Sequence, residues 1–214
     1  MKKISTKKPG KLIVISGLPG AGKDALFQEL ISRFPSFKRI VTYTDRPPRE
    51  GEINGVHHHF VSPEILDEIH RKGELIEDPV VTGPSRKATP KSEFKKVLHE
   101  GHSCIWRIDP SLAAKVAKGE FFSEKFSANE SILLQESTTV LFLTAPSDDL
   151  AKRRKLRDGE KHNPADYKER EAHELAIFHE HKHVFKHVIE NKEGKLTETV
   201  SKVIEITSIK NRNE

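Results

Sequence analysis

Leu12-Ile13-Val14-Ile15-Ser16-Gly17-Leu18-Pro19-Gly20-Ala21-Gly22-Lys23-Asp24-Ala25 is the stretch that decides the fold. Its four leading residues are branched and apolar with no polar alternation, which predicts a short strand buried on both faces. From Lys23 the period changes. Phe27, Leu30, Ile31 and Phe34 recur at i, i+3, i+4 and i+7, one face of a helix that Pro35 closes. Between strand and helix, Gly17-x-x-x-x-Gly22-Lys23 has the spacing of a phosphate-binding loop. Glycines let the backbone wrap so that successive N–H groups point at phosphate oxygens, and the helix N-terminus adds its partial positive charge. Lys23 would reach the terminal phosphates. Residues Gly17 through Ala25 therefore form the expected nucleotide-phosphate site.

The pattern departs at Asp24, where Ser or Thr normally ligates Mg²⁺. Two readings stay open. A carboxylate is a hard oxygen ligand suited to Mg²⁺, and without metal it would repel the phosphates. Alternatively, Asp24 serves only the dipole of the helix it opens.

Outward from this stretch, further strands are expected at Arg39–Thr42, His58–Val61, Ser103–Ile108, Thr139–Thr144 and Val184–Glu190. Helical periodicity covers Pro63–Lys72, Lys91–Glu100, Ser111–Ala117, Asp148–Arg157, Pro164–His181 and Leu196–Ile206. Strands alternating with helices predict an α/β fold with a mainly parallel sheet flanked by helices. Two stretches look unlike core: Thr44–Asn54, rich in Arg, Pro and Glu, and the charge-dense Lys152–Arg170, both of which read locally as solvated loop or helix face.

Composition sets the setting. The 214 residues include 37 Lys or Arg and 32 Asp or Glu, a net charge of +5. That suits an anionic ligand and is too small and dispersed to indicate DNA or RNA. No apolar run approaches the roughly 18 residues of a membrane span, and nothing behind the basic residues 1–10 resembles a secretory signal. The lone Cys104 fits a reducing cytoplasm. Of His57, His58 and His59, two at most share one face of a strand, so structural zinc is not expected.

Thr42-Tyr43-Thr44-Asp45-Arg46-Pro47-Pro48-Arg49-Glu50-Gly51-Glu52-Ile53-Asn54-Gly55-Val56-His57-His58-His59-Phe60 closely resembles the GMP-binding signature of guanylate kinases. Weaker similarity extends over almost the whole chain. The resemblance implies one domain over residues 11–214, with a phosphate-loop core, a GMP-binding region at about 40–95 and a lid at about 150–172. It implies phosphorylation of GMP (or dGMP) to GDP, with ATP as donor and Mg²⁺ as cofactor. By position, Arg46 and Arg49 clamp the acceptor phosphate, a task that suits planar guanidinium forks. Glu52 is the acidic residue beside them, Thr42 keeps the hydroxyl of a serine that meets guanine, and Glu77 accepts from the guanine edge. His58 replaces a phosphate-contacting tyrosine. Around Thr82–Ala88 a Tyr-Tyr-Gly-Ser/Thr element is lost: Arg86 would supply a phosphate contact, whereas Ala88 has no hydroxyl for the base. In Ile105-Trp106-Arg107-Ile108-Asp109, Asp109 is retained as a substrate or metal contact and Arg107 stands where the family has Asp. Arg153, Arg157 and Arg170 align with lid arginines that stabilise the moving phosphoryl group. Asn191 aligns with a turn that packs on adenine. Phe121–Glu136 is an insertion, expected to be a surface excursion.

Two other functions fit parts of the pattern. A Gly-Lys-Asp loop also resembles that of ribose bisphosphate phosphokinases, and Arg86, Ala88 and Arg107 favour such a sugar-phosphate acceptor, whereas Arg46, Arg49 and Glu77 oppose it. Guanylate-kinase-like scaffold domains bind partner proteins without catalysis, but can dispense with Lys23 and the lid arginines, which this chain keeps.

Overall fold

The computed structural model describes residues 8–82, 85–158 and 164–209. In chain order they form β1 (Leu12–Gly17), α1 (Lys23–Arg33), β2 (Lys38–Arg39), β3 (Tyr43–Thr44), β4 (His59–Phe60) and α2 (Pro63–Arg71). Next come β5 (Val80–Thr82), β6 (Ser85–Ala88), α3 (Lys95–Leu98), β7 (Cys104–Arg107) and α4 (Pro110–Ala117). The chain continues through α5 (Ala128–Ser137), β8 (Thr138–Thr144), α6 (Ser147–Asp158), α7 (Pro164–His181), β9 (His187–Glu190) and α8 (Leu196–Thr207). None of these helices is long and apolar enough to cross a membrane.

β1 is buried at every position because it is the central strand, with β7 on one side and β8 on the other. β2 and β9 complete a five-stranded sheet of order β2-β7-β1-β8-β9, parallel throughout. Alternation along β1 serves two cores. Ile13 and Ile15 join Phe27 and Leu30 of α1 and Val200 and Val203 of α8, whereas Leu12 and Val14 join Phe94, Trp106, Phe122 and Leu134. Side chains this buried contribute about 1.5–3 kcal/mol each relative to exposure, so the strand beneath the glycine loop is held from both faces.

A second, mixed sheet has the order β4-β3-β6-β5. β3 pairs parallel with β4 and antiparallel with β6, which pairs antiparallel with β5. The single strand expected at Arg39–Thr42 is therefore divided between two sheets. Ile40 still donates its N–H to Ile105, but the N–H of Val41 goes to the Glu93 carboxylate at 2.7 Å. That ends the ladder and lets the chain cross to the second sheet. The helix expected over Lys91–Glu100 is a 3₁₀ turn at Lys91–Phe94 followed by the short α3.

Phe121–Glu136 is not a surface excursion. Phe121, Phe122 and Leu134 are buried, and Phe122 packs edge-on to Phe94 at 5.9 Å between ring centroids. The segment covers one face of the sheet, which a short insertion does when it carries large apolar side chains. At the other end, residues 1–7 of the basic tail lie outside the described residues, while Gly10 is buried and donates to Val97.

Candidate nucleotide site

The glycine loop joins the C-terminal end of the central strand to α1, where parallel α/β sheets bind ligands. Gly17 and Gly22 have φ of 142° and 90°. A Cβ on Gly17 would lie 2.1 Å from the Leu143 carbonyl oxygen, and one on Gly22 would lie 2.4 Å from Nδ2 of Asn191. Both positions therefore exclude side chains twice over, by conformation and by space.

Five consecutive carbonyls of the loop are occupied by side-chain donors. Lys23 donates to Gly17 at 2.6 Å and Leu18 at 3.0 Å, Arg154 to Pro19 and Arg153 to Gly20 at 3.4 Å, and Asn191 to Ala21 at 2.8 Å. Fixing carbonyls on one side of a wrapped loop commits its N–H groups to the other, the side an anion needs. Ala25 is exposed in the first turn of α1.

Asn191 is buried, its Oδ1 accepting from the Thr199 hydroxyl at 2.9 Å, so its side chain braces the loop. Arg153 also donates to the Asn191 carbonyl at 2.9 Å and pairs with Glu193 at 3.2 Å. The side chains of Arg157 and Arg170 lie outside those the structure describes. Asp24, largely exposed at the start of α1, forms an ion pair with Arg107 from the end of β7. The Arg107 guanidinium lies 5.3 Å from the centroid of the Phe27 ring, and that of Arg39 lies 4.3 Å from it. Asp109 caps α4, its Oδ1 accepting from the N–H groups of Ser111 and Leu112 at 2.8 and 3.0 Å.

The second sheet gathers most of the expected acceptor residues. Arg46 and Glu52 form a bidentate pair at 2.6 and 2.7 Å, and Glu52 also accepts from the Arg49 N–H at 2.7 Å. The Arg46 hydrogen bonds hold the Glu52 carboxyl down at about 2. The Arg49 side chain is exposed. Thr42 Oγ1 and His58 Nδ1 are hydrogen-bonded at 2.8 Å. Burial first, then the charges of Lys87 and Arg46, push the His58 imidazole down to about 4. At neutral pH it is therefore uncharged.

Glu77 is the most perturbed carboxyl of the site. Its Oε1 accepts from the Thr89 N–H at 2.8 Å and the Thr89 hydroxyl at 2.7 Å, and that hydroxyl accepts from Trp106 Nε1 at 3.2 Å. Oε2 is buried without a hydrogen-bond partner. Burial raises the carboxyl to about 8, against the pull of the two Thr89 bonds. Thr89 escaped the sequence reading, which looked one residue earlier, at the buried Ala88.

Arg86 stands apart from the acceptor residues. Its Nε pairs with Asp45 and its Nη1 with Asp67, both at 2.6 Å, and Nη2 donates to the Pro63 carbonyl at 3.2 Å. These bonds use one N–H on each guanidinium nitrogen, so the two carboxylates hold Arg86 in place while the second N–H of Nη1 and of Nη2 is what remains for the phosphate contact expected of it. Lys87, the next residue, is the largest of the charges felt at His58. Arg154 was also missed. Leu150 and Arg154 stand at i and i+4 on α6 and are both buried, a spacing that marks Arg154 as core-facing despite its charged neighbours.

The donor set suits Mg²⁺, which takes one or two protein carboxylates and fills its shell with phosphate and water. Asp24 beside Lys23 is such a carboxylate. Among the described residues no three His, Cys, Asp or Glu side chains converge on a metal position, so an ion beside Asp24 would take the rest of its shell from phosphate and water.

A phosphate loop at the end of a parallel sheet, together with an arginine–carboxylate cluster beside a second sheet, defines a phosphate-loop nucleotide kinase architecture. Residues 9–209 match the family model described as guanylate kinase. The chain is 30% identical to guanylate kinase of Tropheryma whipplei (strain Twist) over 155 residues, 72% of this chain and 73% of that protein. It is 38% identical over 116 residues to guanylate kinase of Clostridium perfringens (strain SM101 / Type A), 54% of this chain and 53% of that one. The crystal structure of guanylate kinase from Anaplasma phagocytophilum superposes with a TM-score of 0.64 over 94% of this chain and 86% of that one, at 22% identity, a likeness of fold. The chain belongs to the guanylate kinase family.

Proposed function

We propose that this protein transfers the terminal phosphoryl group of ATP to GMP, giving ADP and GDP in the cytoplasm. The observation that carries the acceptor is Glu77. Its buried Oε2 lacks a partner while Oε1 is held by Thr89, so the carboxylate can take two donors from one edge of a base. Guanine offers a ring N–H beside an amino group, and adenine does not.

An oxygen of the GMP phosphate attacks the γ-phosphorus as the bond to the β-bridging oxygen breaks. The attacking oxygen is already anionic, so no protein base is required. Lys23 exchanges its two loop carbonyls for the ATP phosphates, while the loop amides hold the β-phosphate. Glu52 holds the Arg46 fork for the acceptor phosphate, with Arg49, His58 and Thr42 around it. Arg153, Arg157 and Arg170 supply positive charge over the transferring group, whose charge is spread over its oxygens. Asp24, with Asp109 as a second candidate ligand, would hold Mg²⁺ against the phosphates, and the ion would supply positive charge for the leaving oxygen.

A sugar-phosphate acceptor is less favoured, because it offers no pair of donors to the Glu77 carboxylate, and the Arg86 and Arg107 that would serve it are paired with Asp45 and Asp67, and with Asp24. Glu77→Gln tests the acceptor. It should abolish most GMP turnover, whereas a variant using GMP like the parent means that Glu77 does not read the base.

A further inference from the structure

We infer that Arg154 is a positioning residue for phosphoryl transfer, joining helix α7 to the loop that holds the donor phosphates. Arg154 is 6% exposed, deep among α6, α7 and the loop. One nitrogen, Nη1, lies 2.5 Å from Glu171 Oε2 and 3.4 Å from the Pro19 carbonyl oxygen. The loop packs against α6 at the same point: a Cβ on Gly20 would lie 2.9 Å from the Leu150 carbonyl and 3.2 Å from Arg154 Cγ. Glu171 immediately follows Arg170 in α7.

Helix packing alone does not account for this charge. An apolar pair of similar volume holds two helices together as well as a buried ion pair does, and often better. What the guanidinium adds is a contact to a loop carbonyl, which no apolar side chain can make. Pro19 is the middle of the five carbonyls held by side chains, and Arg154 is the donor that ties it to α7. Through it, a displacement of α7 is felt at the backbone whose amides face the phosphates. Removing the contact frees the middle of the loop while leaving the Lys23, Arg153 and Asn191 contacts in place.

The inference rests on the loop being the donor site, so it is read first by ATP binding without acceptor, using calorimetry on the full chain. Arg154→Met should lower the melting temperature and weaken ATP binding by about tenfold, the scale of one charge-assisted hydrogen bond. Arg154→Met with Glu171→Met removes both charges and should recover the melting temperature. It should not recover ATP affinity. In turnover the double variant should show a raised KM for ATP with the KM for GMP unchanged, and Arg154→Lys should restore part of the ATP affinity. If the double variant binds ATP as the parent does, Arg154 is a packing residue only and the inference is overturned. If the parent binds ATP but does not turn over GMP, the acceptor assignment fails and the Arg154 result still stands.

Discussion

Replacing Glu77 by Gln isolates the cost of a buried carboxylate. In the folded protein burial raises this group from 4.5 to about 8, while in the unfolded chain it ionises as an ordinary glutamate. Between those two values the folded state binds the proton more tightly, so stability is fully present below pH 4.5 and is lost as pH rises to about 8. A shift of that size corresponds to about 5 kcal/mol at ~1.4 kcal/mol per unit. Gln matches the protonated acid in shape and has no charge to desolvate. The variant and parent should therefore melt together near pH 5, and the variant should melt higher at pH 9, by on the order of 10 °C for a chain of this size. Melting curves at half-unit intervals from pH 4.5 to 9 read this directly. A melting difference that does not change with pH refutes the reasoning, because it would mean that Glu77 titrates alike in both states. Guanine adds a second signature: its two donors favour the ionised carboxylate, so GMP binding near pH 7 should release protons, seen calorimetrically as a heat that varies with the buffer.

His58 has the opposite sign. Depressed to about 4, it contributes stability above pH 6.5 that is lost as pH falls towards 4, and His58→Gln should flatten that acid limb in melting curves. Glu52→Gln removes the charge that holds Arg46, and should raise the KM for GMP about tenfold, the scale of one lost charge-assisted bond, with the KM for ATP unchanged. Asp24→Ser removes a negative charge beside the loop and leaves Arg107 without its ion-pair partner there, so metal-free ATP should bind about tenfold more tightly by calorimetry. Binding of ATP with Mg²⁺ should stay similar or weaken.

The central strand, the loop and α1 were legible because local sequence alone determines them: an unbroken apolar run, glycines where φ must be positive, and a clean helical period. The second sheet was hidden for a physical reason. Val80–Thr82 and Ser85–Ala88 are short, and their pairing is set by neighbours distant in sequence, with Thr44 opposite Lys87 and Val81 opposite Arg86. Adjacent strand residues face opposite ways, so without that register nothing separated Arg86, tied to Asp45 and Asp67, from Lys87, felt at His58. Arg46 and Glu52 were legible from the signature and form a pair, and Thr42 and His58 also meet. Resemblance singled out Asn191 for a turn on adenine, but not for its bond to Ala21, since that contact spans 170 residues of sequence. Phe121 and Phe122 carried the information that their segment is core, masked by reading it only as an insertion.

The chemistry of the site turns on GMP being the acceptor. A coupled assay of the full chain with ATP, Mg²⁺ and each of GMP, dGMP, AMP, CMP, UMP and a ribose bisphosphate measures it most directly. ADP should form with GMP, and with dGMP to the extent that the ribose hydroxyl is dispensable, and little should form with the others. No turnover of GMP or dGMP, or faster turnover of the sugar phosphate, contradicts it.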